Sequence, residues 1–466
     1  MGRKRLLLNR LRSGGIMSRR DKLDLVVWLS MPAILGQLST IAMQYIDTMM
    51  VGQLGATATA SIGLVSTTCW LFGGFCASLG TGFSVLVAHH IGAKENDKAR
   101  EVLRQALMVC IGVAVFISLL CVSIHSWWPR ALGGTPEVAS LSSKYFLVWG
   151  LTLPVMQLLF LSNGMLRSIG NMKAPMRLGI MMCALDVVFN LLLIPQWGVV
   201  GAALATTISA VITTACGFFY LITRSPELRL IGKNFQFSAL LHCLTRPRVF
   251  KFQSSIIKRS LKIGVPMAVE HVVFCGAQIV STIIVAPLGA VAIAANTIGV
   301  VVESLCYMPG FGVGDAATTL IGQSYGARRE DLIHSFSILT VGIGVGVMTL
   351  LGVVMYWAAP ELMQMMTPDL AVREEGIVAL RIEAFAEPMY AASIVAYGVF
   401  VGLGDTLIPC VMNLSSIWFV RIPLAAILAR TMGLRGVWLA MCIELTVRGL
   451  MFLLRLRFKK IKVQTP

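Results

Sequence analysis

The sequence predicts an all-α integral membrane protein: twelve transmembrane helices in two six-helix bundles related by pseudo-twofold symmetry, the product of an internal duplication. Three observations carry this. Of 466 residues, 56% are hydrophobic and 13% charged, with a mean hydropathy of +0.79. Soluble chains carry about a quarter charged residues, so a soluble protein of this size could not cover its core with so few. Apolar stretches of the roughly 20 residues needed to span a bilayer recur along the whole chain. The chain also matches itself when shifted by 234 residues.

Residues 1–24 form a basic segment holding Arg3, Lys4, Arg5, Arg10, Arg12, Arg19, Arg20 and Lys22. No small-residue cleavage site follows the first apolar stretch, so this end is expected to stay in the cytoplasm as a retained terminus, not a signal peptide. The first lobe, 25–223, contains spans at about 25–50, 57–80, 102–123, 141–164, 174–195 and 199–222. A more polar, basic linker, 224–261, leads to the second lobe, 262–456, with spans at about 262–286, 290–313, 334–357, 377–400, 407–429 and 434–455. A basic tail, 457–466, follows.

Orientation follows from the connections. Lys94, Lys98, Arg100 and Arg104 follow span two, and Arg167, Lys173 and Arg177 follow span four, whereas "QLGATAT", "PQWG" and "APLGA" are nearly uncharged. The positive-inside rule then puts both termini in the cytoplasm, in a multi-pass protein of the cytoplasmic (inner) membrane. The connection between spans nine and ten, "PELMQMMTPDLAVREEG", fits least well, being acidic despite Arg373.

The 234-residue shift pairs Pro32 with Pro266, Leu54-Gly55-Ala56 with Leu288-Gly289-Ala290, and Gly80 with Gly314. Without a gap it continues through Gly92/Gly326, Pro154/Pro388, Gly164/Gly398, Gly170/Gly404 and Pro175/Pro409, after which a four-residue slip pairs Gly198 with Gly436. An even number of spans per repeat makes both halves cross the membrane in the same sense, about an axis along the membrane normal. The matched prolines fit helices that bend during alternating access, or equally helices whose static shape they set.

A net charge of +17 raises nucleic acid as a partner, but the basic residues flank apolar runs and no polar domain carries a basic face. Membrane lipid with anionic headgroups is the expected partner. The eleven cysteines show no CxxC and read as reduced, buried small hydrophobes. No Walker loop is present, so ATP is not the expected energy source. The histidines, including His89-His90 in an expected interfacial loop and His271, lack metal-ligand spacing, and "MGRKRL" lacks the myristoylation pattern.

From about Leu25 onward the chain resembles the multidrug and toxic compound extrusion (MATE) transporters. The resemblance rests on "IDTMMVGQLG" in span one, "GTGFSVLVAHHIGAKENDKA", "GMLRSIGNMKAP" and "WGVVGAALAT" in the first half. In the second half it rests on "MPGFGVGDAATTLIGQSYGA", "GLGDTLIP" and "VRIPLA". The resemblance implies two six-helix lobes around a central cavity. It also implies export of cationic or amphipathic small molecules by antiport with H⁺ or Na⁺; the residues themselves show no catalytic constellation, so no enzymatic activity, no cofactor beyond that ion and no obligate protein partner are expected.

An ionisable group at membrane depth costs about 2.5–3.5 kcal/mol on insertion scales, so each needs a reason. Asp47 stands alone, with no Lys, Arg or Glu between Lys22 and Lys94. It reads as a proton or Na⁺ site, or else as a hydrogen-bonded polar group near the outer end of its span. Asp186 and Asn190, four apart, share one helix face. The N-lobe-carboxylate branch of the family usually shows Asn first and Asp four residues later, and here the two are exchanged. Thr206 falls at the family's hydroxyl position. Asp47, Asp186, Asn190 and Thr206 would supply hard ligands for Na⁺, the only metal expected, or share a proton, since two close carboxylates in a low dielectric cannot both stay ionised cheaply.

In the second lobe Glu270, Glu303, Asp315, Glu383 and Glu387 are the candidates for lining a substrate cavity. Another branch of the family uses a span-seven glutamate one turn beyond Glu270, where this chain has Phe274. Glu270 reads equally as a polar neighbour of His271 near the helix start. Asp315 aligns with Thr81 under the repeat, so a packing hydrogen bond suits it as well as a cation contact. Arg421 is expected to pair with one of these acids, and Glu444 to find a similar partner. Two other functions stay open: a lipid-linked oligosaccharide flippase, which would need a basic cavity, and a channel or non-transporting membrane protein.

Overall fold

The computed structural model describes residues 3–229 and 252–459, so most of the expected linker and the last residues of the tail lie outside it. The described residues form helices joined by short connections, with no strand among them. In chain order the helices are α1 Arg3–Ser13, α2 Arg19–Gly52, α3 Ala56–Gly92, α4 Asn96–Ile124, α5 Trp128–Ala131, α6 Pro136–Ser168 and α7 Lys173–Arg224. The second half follows as α8 Ser254–Val285, α9 Ala290–Gly326, α10 Glu330–Met366, α11 Leu370–Ala384 and α12 Glu387–Gly402. After these come α13 Leu407–Ser416, a π turn Ile417–Arg421, α14 Ile422–Met432 and α15 Leu434–Phe458.

Among the described residues, ten helical segments are long and apolar enough to span a membrane, and the pair α11–α12, bent by 58°, makes an eleventh. The 52-residue α7 would be about 78 Å long if straight, more than twice a bilayer core. It turns back at Gly198, whose φ of 55° and ψ of −129° no L-residue adopts readily. Counted as two, it brings the described spans to the expected twelve. The break in α11–α12 falls where Pro388 removes an N–H and its ring crowds the carbonyl of Ala384, the last residue of α11.

Most helices overrun the apolar windows, because hydropathy marks only the middle of a span and not its polar ends. His89 and His90 are a case in point: they were expected in a loop, but both lie in the last turn of α3. The helix stops only where Lys94 enters the left-handed region, and there His90 Nδ1 meets Glu95 Oε2 at 2.8 Å. Hydrogen bonds from Lys98 and His90 hold the Glu95 carboxyl below its usual range. The basic N-terminal segment also contains α1, which buries Leu7, Leu8 and Leu11. Its apolar stripe is too short to register as a span.

Backbone geometry repeats the duplication. Left-handed residues recur at the same 234-residue offset: Gly55/Gly289 with φ of 99° and 98°, Lys94/Arg328 with 62° and 55°, and Gly170/Gly404 with 84° and 76°. The later register differs from the expected four-residue slip. Gly198 corresponds to Gly433, which has φ of 61° and ψ of −139°, and Gly201 corresponds to Gly436. A Cβ on either Gly201 or Gly436 would lie 2.3 Å from a carbonyl oxygen of the preceding helix. The slip is therefore one residue, fixed by a hairpin that only this glycine spacing closes.

The contacts divide into two compact units, Met1–Leu38 with Val272–Pro466, and Ser39–His271. The division runs through α2 and α8. In the second unit the first part of α8 lies on α3 so closely that a Cβ on Gly82 would stand 2.2 Å from Ser260 O. In the first unit the first part of α2 lies on α9, where a Cβ on Gly312 would stand 2.6 Å from Ile34 N. Small residues at such crossings let helices in lipid gain dispersion contact, which is the main attraction available to them.

Candidate functional site: a buried carboxylate pair under a cavity

In the unit Ser39–His271, α2 and α7 bring Asp47, Asp186 and Asn190 together. Asn190 Nδ2 donates to Asp47 Oδ1 at 2.7 Å and to Asp186 Oδ2 at 2.9 Å. Both amide N–H groups are thereby used, one on each carboxylate. Asp186 is 0% exposed and Asn190 1%, while Asp47 is half-buried. The two carboxylates are thus tied to one amide, Asp47 from α2 and Asp186 from α7. Asp186 Oδ1 and Asn190 Oδ1 are buried without a hydrogen-bond partner. Two orphaned acceptors at such depth call for a proton or a cation.

A cavity of about 740 Å³ opens beside this cluster. Asp47 lines it and Asp186 and Asn190 do not, so Asp47 connects the cavity to the buried pair. Trp70, Tyr145, Trp149, Met156 and Phe160 supply an aromatic and thioether wall, and His271 and Thr206 add polar edges. The Thr206 hydroxyl donates to Ala202 O at 3.3 Å, along its own helix, and reaches the cavity beside Asp47. The sequence reading found the carboxylates but missed Tyr145, the tryptophan wall and His271. Aromatic residues in apolar runs carry no signal of their own, whereas a histidine in mid-span does.

The five second-lobe acids are not on this cavity wall. Glu270 sits mid-way along α8, not near its start, and is half-buried. Asp315 on α9 accepts from Gln37 Nε2 at 3.2 Å, the packing hydrogen bond that its alignment with Thr81 allowed. Glu303, Glu383 and Glu387 are 4%, 0% and 1% exposed, in the interior of the second-lobe unit. Both oxygens of Glu383 and both of Glu387 lack hydrogen-bond partners.

Arg421 pairs with Glu444, not with one of the five candidate acids. Arg421 Nε and Nη2 donate to Glu444 Oε2 at 2.9 and 2.6 Å, and Ser416 Oγ donates to Oε1 at 2.6 Å. Arg448, which the sequence reading did not single out, joins them with its Nε 3.1 Å from Glu444 Oε1. Its guanidinium lies 5.4 Å from the Tyr390 ring centroid. The π turn Ile417–Arg421 ends on Arg421, and such bulges re-aim side chains within a helix. In the turn after α12, Asp405 accepts from Arg455 and Lys459. Burial pushes its carboxyl up, but the hydrogen bonds from Lys459 and Arg455 outweigh that and hold it below the usual range.

A repeated set of membrane-spanning helices, with a buried carboxylate cluster beside a cavity, defines a multi-pass membrane protein. The MatE family model matches the chain twice, over residues 32–192 and 266–427, so this protein belongs to the MATE family of transporters. The two matches begin 234 residues apart, the offset of the internal repeat. The chain is 24% identical over 456 residues to the probable multidrug resistance protein NorM of Thermotoga maritima, covering 94% of each chain. It is 27% identical over 458 residues to the probable NorM of Brucella suis, covering 92% of this chain and 91% of the relative. Among solved structures it superposes on a MATE protein crystallised in complex with MaL6, with a TM-score of 0.87 at 22% identity over 97% of each chain, a likeness of fold.

Proposed function

We propose that the protein is an efflux transporter of the cytoplasmic membrane that exports cationic or amphipathic small molecules by antiport, coupled at Asp47 and Asp186 through Asn190. The observation that carries this is the bridged carboxylate pair, buried yet reached from the cavity through one residue, Asp47. H⁺ and Na⁺ both suit an oxygen-rich site, and two carboxylates tied to the same amide favour a shared proton. The relatives named as multidrug resistance proteins support the cargo class. So does the wall, since aromatic faces attract cations and Met adapts to varied shapes. Both termini would face the cytoplasm, with the basic flanks against anionic headgroups.

In mechanism, ion entry neutralises the Asp47–Asp186 pair. Asn190 then holds two groups of changed charge, so the α2–α7 contact and the affinity for a cation in the cavity both weaken. A lipid-linked oligosaccharide flippase would need a basic cavity for its diphosphate, and this lining includes no Lys or Arg. The test is efflux of a fluorescent cation from proteoliposomes. Asp47→Asn should lower the ion-driven rate at least about tenfold, the effect of about 1.4 kcal/mol in coupling. Unchanged efflux in that variant would remove Asp47 from the mechanism.

A further inference from the structure

His271 stands where α8 leaves the unit Ser39–His271, as its last residue. Its ring fills a slot in α3: a Cβ on Gly74 would lie 1.9 Å from His271 Nε2 and 2.3 Å from its Cδ2. In that slot Nε2 is 2.9 Å from the backbone oxygen of Trp70. A carbonyl only accepts, so Nε2 carries the hydrogen and donates whether the ring is neutral or charged. The carbonyl can take this second hydrogen bond because it has two lone pairs, one of which serves its own helix. Nδ1 is therefore the nitrogen that gains or loses the proton. His271 also lines the 740 Å³ cavity that holds Asp47.

The duplication sharpens the point. Shifted by 234 residues, His271 falls on Gln37, which is next to the last residue of the first part of α2. Gln37 donates to Asp315 on α9. Each exchanged helix segment thus ends on a side chain that fastens it to its host helix. One fastener is an amide that never titrates, and the other is an imidazole, the side chain whose ordinary charge change falls between about pH 5 and 8.

The geometry points to His271 as a specificity-determining residue of the cavity: pinned through Nε2 to Trp70, it presents a neutral acceptor at Nδ1 to cargo, or a positive charge once protonated, and so expels cationic cargo on acidification. This rests on the cationic cargo proposed above. The titratable groups around it are Trp70's neighbour Cys69 on α3, Tyr145 on α6, Asp47 on α2 with Asp186 on α7 behind it, and Glu270 on α8 itself. Protonation of Asp47 would change cargo affinity in the same direction, so the test must separate the two.

Ethidium binding to the purified full-length protein, measured by fluorescence anisotropy at about pH 8 and about pH 6, makes that separation. A unit charge inside the cavity is expected to weaken wild-type binding about tenfold between the two conditions. His271→Gln keeps an N–H donor without the titration, and its ratio should fall to about twofold, the share left to protonation of Asp47, while Asp47→Asn, which weakens binding at both pH values and removes that share, should keep a ratio of about fivefold. Gly74→Ala, which evicts the ring, should flatten the ratio in the wild type and add nothing in a His271→Gln background. A wild-type ratio in His271→Gln, with the loss appearing in Asp47→Asn instead, overturns the inference and leaves the proposed function standing. Absence of ethidium binding to the wild type at either pH overturns both.

Discussion

A primary amide has two N–H donors, and Asn190 aims one at Asp47 and one at Asp186. Without it two carboxylates would face each other with nothing between them to soften their repulsion. Asn190→Leu, close in size, should lower stability by about 1–3 kcal/mol, since it leaves buried acceptors unmet. Thermal unfolding in detergent reads this, and an unshifted midpoint would contradict the bridge. The second-lobe ion pairs make a larger claim. Glu444→Gln removes the charge that Arg421 and Arg448 share, and a broken buried pair costs about 3–5 kcal/mol. Replacing Arg421, Glu444 and Arg448 together with apolar residues should cost less than Glu444→Gln alone. A triple variant that is the less stable of the two would contradict that reading. At this scale the sequence revealed that Asp186 and Asn190 share a face, because spacing along one helix dictates it. It could not show that Asn190 meets Asp47, 143 residues away, since only tertiary packing joins them.

Among the elements, α3 and α8 show how glycine sets a crossing. A valine at position 82 would drive its Cβ into Ser260 O, backbone that cannot rotate away. Gly82→Val should therefore destabilise by about 1–3 kcal/mol, the usual range for overpacking, and slow transport. A variant with native stability and rate would show that the crossing tolerates separation. Asp405 links the turn after α12 to the end of α15. Its folded carboxyl titrates below the ordinary range, so its contribution is complete above the unfolded carboxylate pKa and is lost as pH falls through the lower folded value. Spans were legible because apolar length announces them. The hairpin at Gly198 was legible only as a gap between two windows, and its true mate, Gly433, became visible through shared left-handed geometry.

For the whole molecule, the informative feature is where two similar halves differ. Asp47 has Ser281 as its counterpart, and His271 has Gln37. The shared scaffold is in the helices, the left-handed turns and the glycine crossings, while Asp47 and His271 each stand in one copy only. The repeat was readable from sequence because backbone demands on glycine and proline persist through divergence. The second-lobe acids were harder to place, because nothing in a single sequence tells a buried charge network from a cavity wall. The central claim, a proton shared between Asp47 and Asp186, is tested most directly by cation efflux from proteoliposomes under a pure pH gradient and then a pure Na⁺ gradient. Efflux driven by the pH gradient, and abolished in Asp47→Asn, is the expected result. Efflux that follows the Na⁺ gradient alone, or that survives Asp47→Asn, would contradict it.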